Sequence, residues 1–231
     1  MELFQLRENE VFKALRKIKN QKFIVIGGYA VNAYTLPRFS VDCDIVTENK
    51  TETVEITKEL TKLSYERAKD TDFGPYSGDF LRYEKTISKN FMVSFDILIK
   101  NVYDRQTKAM FSAEWVFKNS ALRTLKGKTI TGELKLRIVN PEALVVMKFV
   151  SCRNADIRDV FMLMPQVKDL EWVKKEISER VDFKDRFFKV KSKITSEQFK
   201  DNLQGVYGYI DEKLFEKHNK TILKYEKFKN K

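Results

Sequence analysis

The chain has 231 residues, 42% of them hydrophobic and 33% charged, enough apolar content to bury a core in one domain or a pair of small ones and too much for a disordered chain. Lys and Arg number 44 against 33 Asp and Glu, a net charge of +11, which points to a polyanionic partner such as a nucleotide or RNA, although surface lysines also serve solubility. One histidine and two cysteines exclude a His-rich zinc site and a disulfide framework.

The N-terminus, MELFQLRENEVFKALRKI, has acidic residues among its first ten and no apolar core segment, so no signal peptide is expected. No apolar run approaches the roughly 18 residues that span a bilayer, and a cytoplasmic protein is expected. Val11, Leu15 and Ile18 recur at helical spacing and predict an amphipathic helix over about residues 7 to 19. The stretch FIVIGGYAVNAYTLPRFSVDCDIV, from Phe23 to Val46, then runs from an apolar strand through Gly27 and Gly28 into an amphipathic helix. It ends on a strand carrying Asp42 and Asp44. Side chains two apart share a strand face, so both carboxylates point one way while Val41, Cys43 and Ile45 point the other. A side-by-side carboxylate pair calls for a cation, and oxygen-only ligands suit Mg²⁺, which takes one or two protein carboxylates plus substrate phosphates. Glycines lacking Cβ let the backbone approach a polyphosphate, whose charge the following helix's N-terminal N–H groups can receive.

Ile56, Leu60 and Leu63 predict a further helix, capped by Thr51 or Thr53. Residues 66 to 79, with Gly74, Pro75, Ser77 and Gly78, read as a loop near the site. Two strands follow, Phe80 to Ile87 and Phe91 to Ile99, joined by Ser88-Lys89-Asn90; in the second, Asp96 lies on the face opposite Val93, Phe95, Ile97 and Ile99. A helix or strand is expected around Phe111 to Phe117, a turn at Lys126 to Lys128, and a strand from Leu134 to Val139 that breaks at Pro141. Pro141 and Glu142 open a helix that carries Lys148 on an otherwise apolar surface, and a second helix holds Asp156 and Asp159. Beyond Pro165 the pattern is helical. Leu170, Val173 and Ile177 form one stripe; Phe199, Leu203, Val206, Ile210 and Leu214 form another, interrupted by Gly205 and Gly208. His218 is expected on the surface, in a basic tail that frays or touches RNA.

A Gly-Gly turn, a helix, and a strand with Asp-x-Asp, in this order, resemble the nucleotidyltransferase superfamily of polymerase-β-like fold. Gly27, Gly28, Asp42 and Asp44 stand in its signature, and Arg38 and Ser40 extend it to the Arg-x-Ser/Thr-x-Asp-x-Asp form of its minimal members. The resemblance implies an α+β fold: a mixed sheet flanked by helices, as residues 1–140, then a helical C-terminal region over residues 141–231. It implies Asp96 as the third carboxylate, which with Asp42 and Asp44 holds Mg²⁺ or Mn²⁺ and serves as base toward the acceptor hydroxyl. Gly27, Gly28, Arg38 and Ser40 would bind the phosphates of an NTP. The run Pro-Glu-x-Leu, Lys148, Arg153, then Asp156 and Asp159 is similar to the AbiEii-like toxin nucleotidyltransferases, in which the helix lysine reaches the phosphates. Ala155 stands where that family carries a basic residue, and a contact of Arg153 or Arg158 with Asp159 is the structural alternative. The expected reaction is transfer of a nucleoside monophosphate to an acceptor hydroxyl. The acceptor implied by the toxin-like resemblance is a tRNA 3′ end, with a cognate antitoxin protein as partner. The alternatives are a protein hydroxyl, an antibiotic-type small molecule, or a nucleotide-binding protein without turnover.

Overall fold

The computed structural model describes residues 2–69, 79–89 and 91–227. The Gly74-Pro75 loop, Asn90 and the terminal lysines Lys229 and Lys231 lie outside the described residues. The chain divides into two units, one of Met1–Ala33, Pro37–Tyr103 and Met110–Val139, the other of Tyr34–Leu36, Asp104–Ala109 and Asn140–Lys231.

The first unit contains α1 (Glu2–Ile18), β1 (Ile24–Val25), α2 (Gly27–Asn32), β2 (Asp42–Thr47), α3 (Lys50–Lys62), β3 (Glu66–Arg67), β4 (Phe80–Ser88), β5 (Phe91–Ile99), β6 (Asn101–Tyr103), β7 (Met110–Ser112), α4 (Ala113–Lys118), β8 (Ser120–Leu125) and β9 (Leu134–Val139). Seven strands form one mixed sheet in the order β3-β4-β5-β2-β1-β9-β8, with β2 and β5 parallel, β1 and β9 parallel, and the other neighbours antiparallel. β6 and β7 pair separately.

Period-two alternation explains which face is covered. Cys43, Ile45, Phe95 and Ile97 are buried on one side of β2 and β5. Over them lies α1, whose Val11, Phe12, Leu15 and Ile18 are fully buried, and its Glu10 accepts an ion pair from Lys85 of β4 at 2.7 Å. Each such aliphatic or aromatic side chain contributes about 1.5–3 kcal/mol on burial. α3 packs against α1, β2 and β5. Its cap is Asn49, which accepts from the Glu52 N–H at 3.0 Å. Thr53, one of the expected caps, sits inside the helix and donates its hydroxyl to the Asn49 carbonyl. Val41 does not join Cys43 and Ile45: it precedes the strand and is 57% exposed.

The second unit is helical: α5 (Pro141–Ser151), α6 (Asn154–Leu163), α7 (Leu170–Ser178), α8 (Phe183–Ile194), α9 (Phe199–Tyr207) and α10 (Glu212–Leu223). Pro141 occupies the first turn of α5, Asn140 caps it by accepting from the Ala143 N–H, and Cys152 closes it in the left-handed region. Its core centres on Phe161, whose ring meets Phe199, Phe215 and His218. The long stripe predicted around Phe199 to Leu214 is two helices, because Gly208 at φ +93° ends α9. His218 is buried in this core with its Nδ1 hydrogen-bonded to the Phe161 carbonyl at 2.9 Å, contrary to the expected surface position. The aromatic ring of Phe161 supplies an environment that the basic composition around His218 conceals.

The architecture is thus α+β, a mixed sheet with helices followed by a helical C-terminal region. No helix among the described residues is long and apolar enough to cross a membrane.

Candidate active site

β2 presents Asp42 and Asp44 on the sheet face opposite Cys43 and Ile45. Because β5 runs parallel beside it with Asp42 level with Ser94 and Asp44 level with Asp96, the third carboxylate arrives next to Asp44. β4 adds Arg82 opposite Asp96 and Glu84 opposite Ser94. The face therefore carries two short rows across three strands, Asp44-Asp96-Arg82 and Asp42-Ser94-Glu84. Like charges side by side on a sheet are destabilising, so each row needs compensation.

The compensation is specific. Arg82 donates from Nε to Asp96 Oδ1 at 2.7 Å and from Nη2 to Asp96 Oδ2 at 2.6 Å, a bidentate fork of the strong charge-assisted kind. Ser94 donates its hydroxyl to Asp42 Oδ1 at 2.5 Å. The hydrogen bonds to Asp96 raise the Arg82 pKa further above its ordinary value. Burial pushes the Asp96 carboxyl above the usual carboxylate range, while the fork and the charge of Arg82 pull the other way. With both oxygens accepting from a guanidinium, the pair is ionised. On the reverse face, burial and then the three nearby carboxylates push the Cys43 thiol well up, which makes it an inert packing group.

The glycines meet this face at contact distance. Gly27 has φ +65°, and a Cβ placed on it would lie 1.9 Å from Asp44 Oδ2. The Ile26 N–H donates to the Asp44 carbonyl at 3.0 Å, which joins the start of α2 to β2. A Cβ on Gly28 would lie 2.3 Å from Ser40 Oγ and 3.1 Å from Arg38 Nη2. The segment carrying Arg38 and Ser40 is pinned by Asn32, a fully buried side chain that donates to the Arg38 carbonyl at 2.8 Å and accepts from the Arg38 N–H at 3.0 Å. Gly27, Gly28, Arg38, Ser40, Asp42, Asp44 and Asp96 are thus brought together within the first unit. The helix following the glycines differs from the expected amphipathic one: α2 has six residues, and both glycines lie inside its first turn. So short a helix sums few peptide dipoles, and the glycines act sterically, by leaving space against Asp44 and Ser40.

Oxygen-only donors in Asp42 and Asp44, on one strand face beside a backbone that carries no Cβ, fit a hard divalent ion such as Mg²⁺ that keeps phosphate and water among its ligands. Among the described residues no three Asp, Glu, Cys or His side chains converge as a ready-made cage, and both oxygens of Asp96 are already engaged by Arg82.

Lys148 belongs to the second unit. Its ammonium donates to Asp156 Oδ1 at 2.8 Å and lies 3.1 Å from Asp159 Oδ2. Asp159 also accepts from the Tyr207 hydroxyl at 2.9 Å, and Asp156 accepts from the Arg153 N–H at 3.2 Å. Lys148 is thus an ion-pair partner of Asp159, while Arg153 reaches Asp104. Asp104, a position without a sequence signal, is buried and accepts from the Ser151 hydroxyl, the Thr107 N–H and Arg153. Sequence reading also passes over Arg82, Glu84, Ser94 and Asn32. The cross-strand register of the β4–β5 hairpin is the signal that exposes the first three.

No protein-family model and no curated protein matches the sequence. The chain is similar to several solved structures. One is ANT(2")-Ia in complex with adenylyl-2"-tobramycin, at 14% identity and a TM-score of 0.47, covering 81% of this chain and 99% of that one. Another is a candidate nucleotidyltransferase from H. pylori, at 15% identity and a TM-score of 0.49, covering all of both chains. A third is the lincosamide antibiotic adenylyltransferase LnuA with lincomycin bound, at 16% identity and a TM-score of 0.45, covering 68% of this chain and 95% of that one. At these values none of them attaches an acceptor to the present chain.

Proposed function

We propose that this chain is a nucleotidyltransferase that moves a nucleoside monophosphate from an NTP to an acceptor hydroxyl, releasing pyrophosphate. The observation that carries the reading is the meeting of Gly27 with Asp44, and of Gly28 with Ser40 and Arg38, on the strand face that presents Asp42, Asp44 and Asp96. A carboxylate pair alone repels a polyphosphate. A carboxylate pair beside Arg38, a hydroxyl and bare glycine backbone supplies both an ion site and donors for phosphate oxygens.

Asp42 and Asp44 would hold Mg²⁺, or Mn²⁺ in its place, and the ion would supply positive charge to offset that of the phosphates. Arg38, fixed through its backbone by Asn32, donates to the phosphates, and Ser40 adds a hydroxyl donor. Ser94 orients Asp42 by its hydrogen bond, and Arg82 keeps Asp96 ionised beside Asp44. Holding such groups before the substrate arrives is what makes electrostatic stabilisation effective. Lys148 enters the reading as the tie between α5 and α6, because two carboxylates already answer its charge.

The acceptor we favour is an RNA 3′ hydroxyl, such as that of a tRNA, supported by the net charge of +11. The toxin setting and the cognate antitoxin implied by the Lys148 motif are carried no further, since Lys148 is paired inside its own helical unit. Calorimetric titration of NTP with and without Mg²⁺ tests the ion and nucleotide site: affinity should require the metal, and equal affinity in EDTA overturns the reading. Salt dependence separates the acceptors. RNA binding should fall log-linearly with salt, by about 0.7 per phosphate contacted on a single strand, whereas a small neutral acceptor shows little slope.

A further inference from the structure

We infer that a basic cleft in the first unit, formed where the turn after α1 meets the β8–β9 hairpin, receives the phosphate backbone of the acceptor RNA. The inference rests on the RNA-acceptor reading and deepens it, by assigning the residues that hold the strand.

The cleft has a volume of about 310 Å³, and Lys19, Lys22, Phe23, Leu122, Lys135 and Arg137 line it. β9 is an inner strand, with β1 on one side and β8 on the other. Its alternation buries Leu134, Leu136 and Ile138 and turns Lys135 and Arg137 outward together. Cations that guard a sheet belong on its edge strand. Here the edge strand β8 instead offers Leu122, which is 60% exposed and level with Arg137. Lys22 is answered by Glu48 and Glu52. Lys19, Lys135 and Arg137 meet no carboxylate among the described residues, and Arg137 donates from Nε to the Ser120 hydroxyl at 3.3 Å. Cations gathered around one concavity repel one another, and a polyanion relieves that repulsion.

Register sets the cleft on the carboxylate face of the sheet. Ile45 pairs with Val25 and Val25 with Ile138, so Ile138 shares the face of Cys43, while Lys135 and Arg137 share the face of Asp42 and Asp44. Arg137 stands two strands across and two residues along from Asp44, about 12 Å away at ordinary strand spacings. A strand whose terminal hydroxyl lies at the carboxylates therefore has its preceding phosphates within reach of these cations. Pockets for small molecules are lined mostly by apolar side chains with a few polar groups, whereas four of the nine residues lining this one are cations. An acidic protein surface would answer the charge as well; what favours RNA is the position of the cleft on the face where the acceptor hydroxyl has to arrive.

Fluorescence anisotropy of a labelled single-stranded RNA, titrated with the full chain over a series of salt concentrations, tests the inference without nucleotide. Lys135→Gln with Arg137→Gln, with folding checked by circular dichroism, should flatten the slope of log affinity against log salt by about 1.4, which is about 0.7 for each phosphate contact removed. Metal-dependent NTP affinity should stay at the wild-type value, because neither side chain belongs to the ion site. Arg123 is level with Leu136 and so lies on the opposite face of the hairpin, and Arg123→Gln should leave the slope unchanged. An unchanged slope in the folded double variant, an equal flattening by Arg123→Gln, or binding of polyglutamate as tight as that of RNA overturns the inference and leaves nucleotidyl transfer in place. Loss of NTP affinity in the double variant would assign the cleft to the nucleotide and likewise overturn it. Should the wild type bind no RNA at low salt, the inference and the RNA acceptor fall together, while nucleotidyl transfer still answers to the NTP titration.

Discussion

Replacing Gly27 by alanine puts a methyl carbon 1.9 Å from Asp44 Oδ2 and 2.8 Å from Asp44 Cγ. To restore ordinary contact the carboxylate must withdraw by about 1.5 Å, and β2 leaves it little freedom, because the neighbouring Ile26 N–H holds the Asp44 carbonyl. A misplacement of about 1 Å among reacting groups costs on the order of 10²-fold in rate, so nucleotidyl transfer should fall by at least that factor. The φ of +65° at Gly27 adds backbone strain of about 1–2 kcal/mol for an L-residue, which lowers the melting temperature of a chain this size by roughly 2–8 °C. The assay is label transfer from an α-labelled NTP, alongside calorimetric unfolding of the same preparation. Gly28→Ala is the internal comparison: its methyl would meet the Ser40 hydroxyl at 2.3 Å and the Arg38 guanidinium at 3.1 Å. These are side-chain ends that can rotate away, and the loss should be smaller. Wild-type transfer by a folded Gly27→Ala protein would refute the steric argument for the site.

Asp44→Asn should abolish transfer and metal-dependent NTP binding with little change in melting temperature, as checked by calorimetry; retained metal-dependent binding counts against the ion site. Lys148→Met should strand Asp156 and Asp159 in a buried environment and lower stability by about 3–5 kcal/mol, measurable by denaturant unfolding. A stable variant that has lost turnover would instead make Lys148 a phosphate ligand. Burial lowers the His218 pKa below its ordinary 6.5, so the unfolded chain binds a proton that the folded chain resists. The stability this group contributes is therefore full above about pH 6.5 and is lost as pH falls toward its folded value. His218→Gln should flatten melting temperature against pH below about 6.5, and an unchanged slope assigns the effect elsewhere.

Much of the site could be read in the sequence because its parts are local. Gly27 to Asp44 is one continuous stretch, and the two-residue period of β2 places Asp42 and Asp44 on one face without knowledge of any neighbour. Asp96 was legible for the same reason, as a carboxylate alternating out of an apolar run. Arg82 was not, and the reason is a register shift. Counting back from Ser88 paired with Phe91 sets Arg82 level with Ile97, on the wrong face; the irregularity between Thr86 and Ser88 moves the pairing by one residue and turns Arg82 to Asp96. Asn32 was hidden because a buried amide at a helix end looks like any polar residue until the segment that it pins returns to it. The carboxylate partners of Lys148 on α6 and the aromatic core around Phe161 that buries His218 were both out of reach of the sequence. In both cases the deciding contacts come from another helix, which composition and helical spacing do not reveal.

The most direct test of the central claim is to incubate the wild-type chain with each α-labelled NTP, total tRNA and Mg²⁺, and to follow both the label and the pyrophosphate. The account predicts label on the RNA 3′ end with one pyrophosphate released per transfer, no transfer in EDTA and none with Asp44→Asn. Label on another hydroxyl compound would keep nucleotidyl transfer and replace the acceptor. Absence of pyrophosphate release with every NTP and every acceptor, from a folded protein in Mg²⁺ or Mn²⁺, would contradict the account.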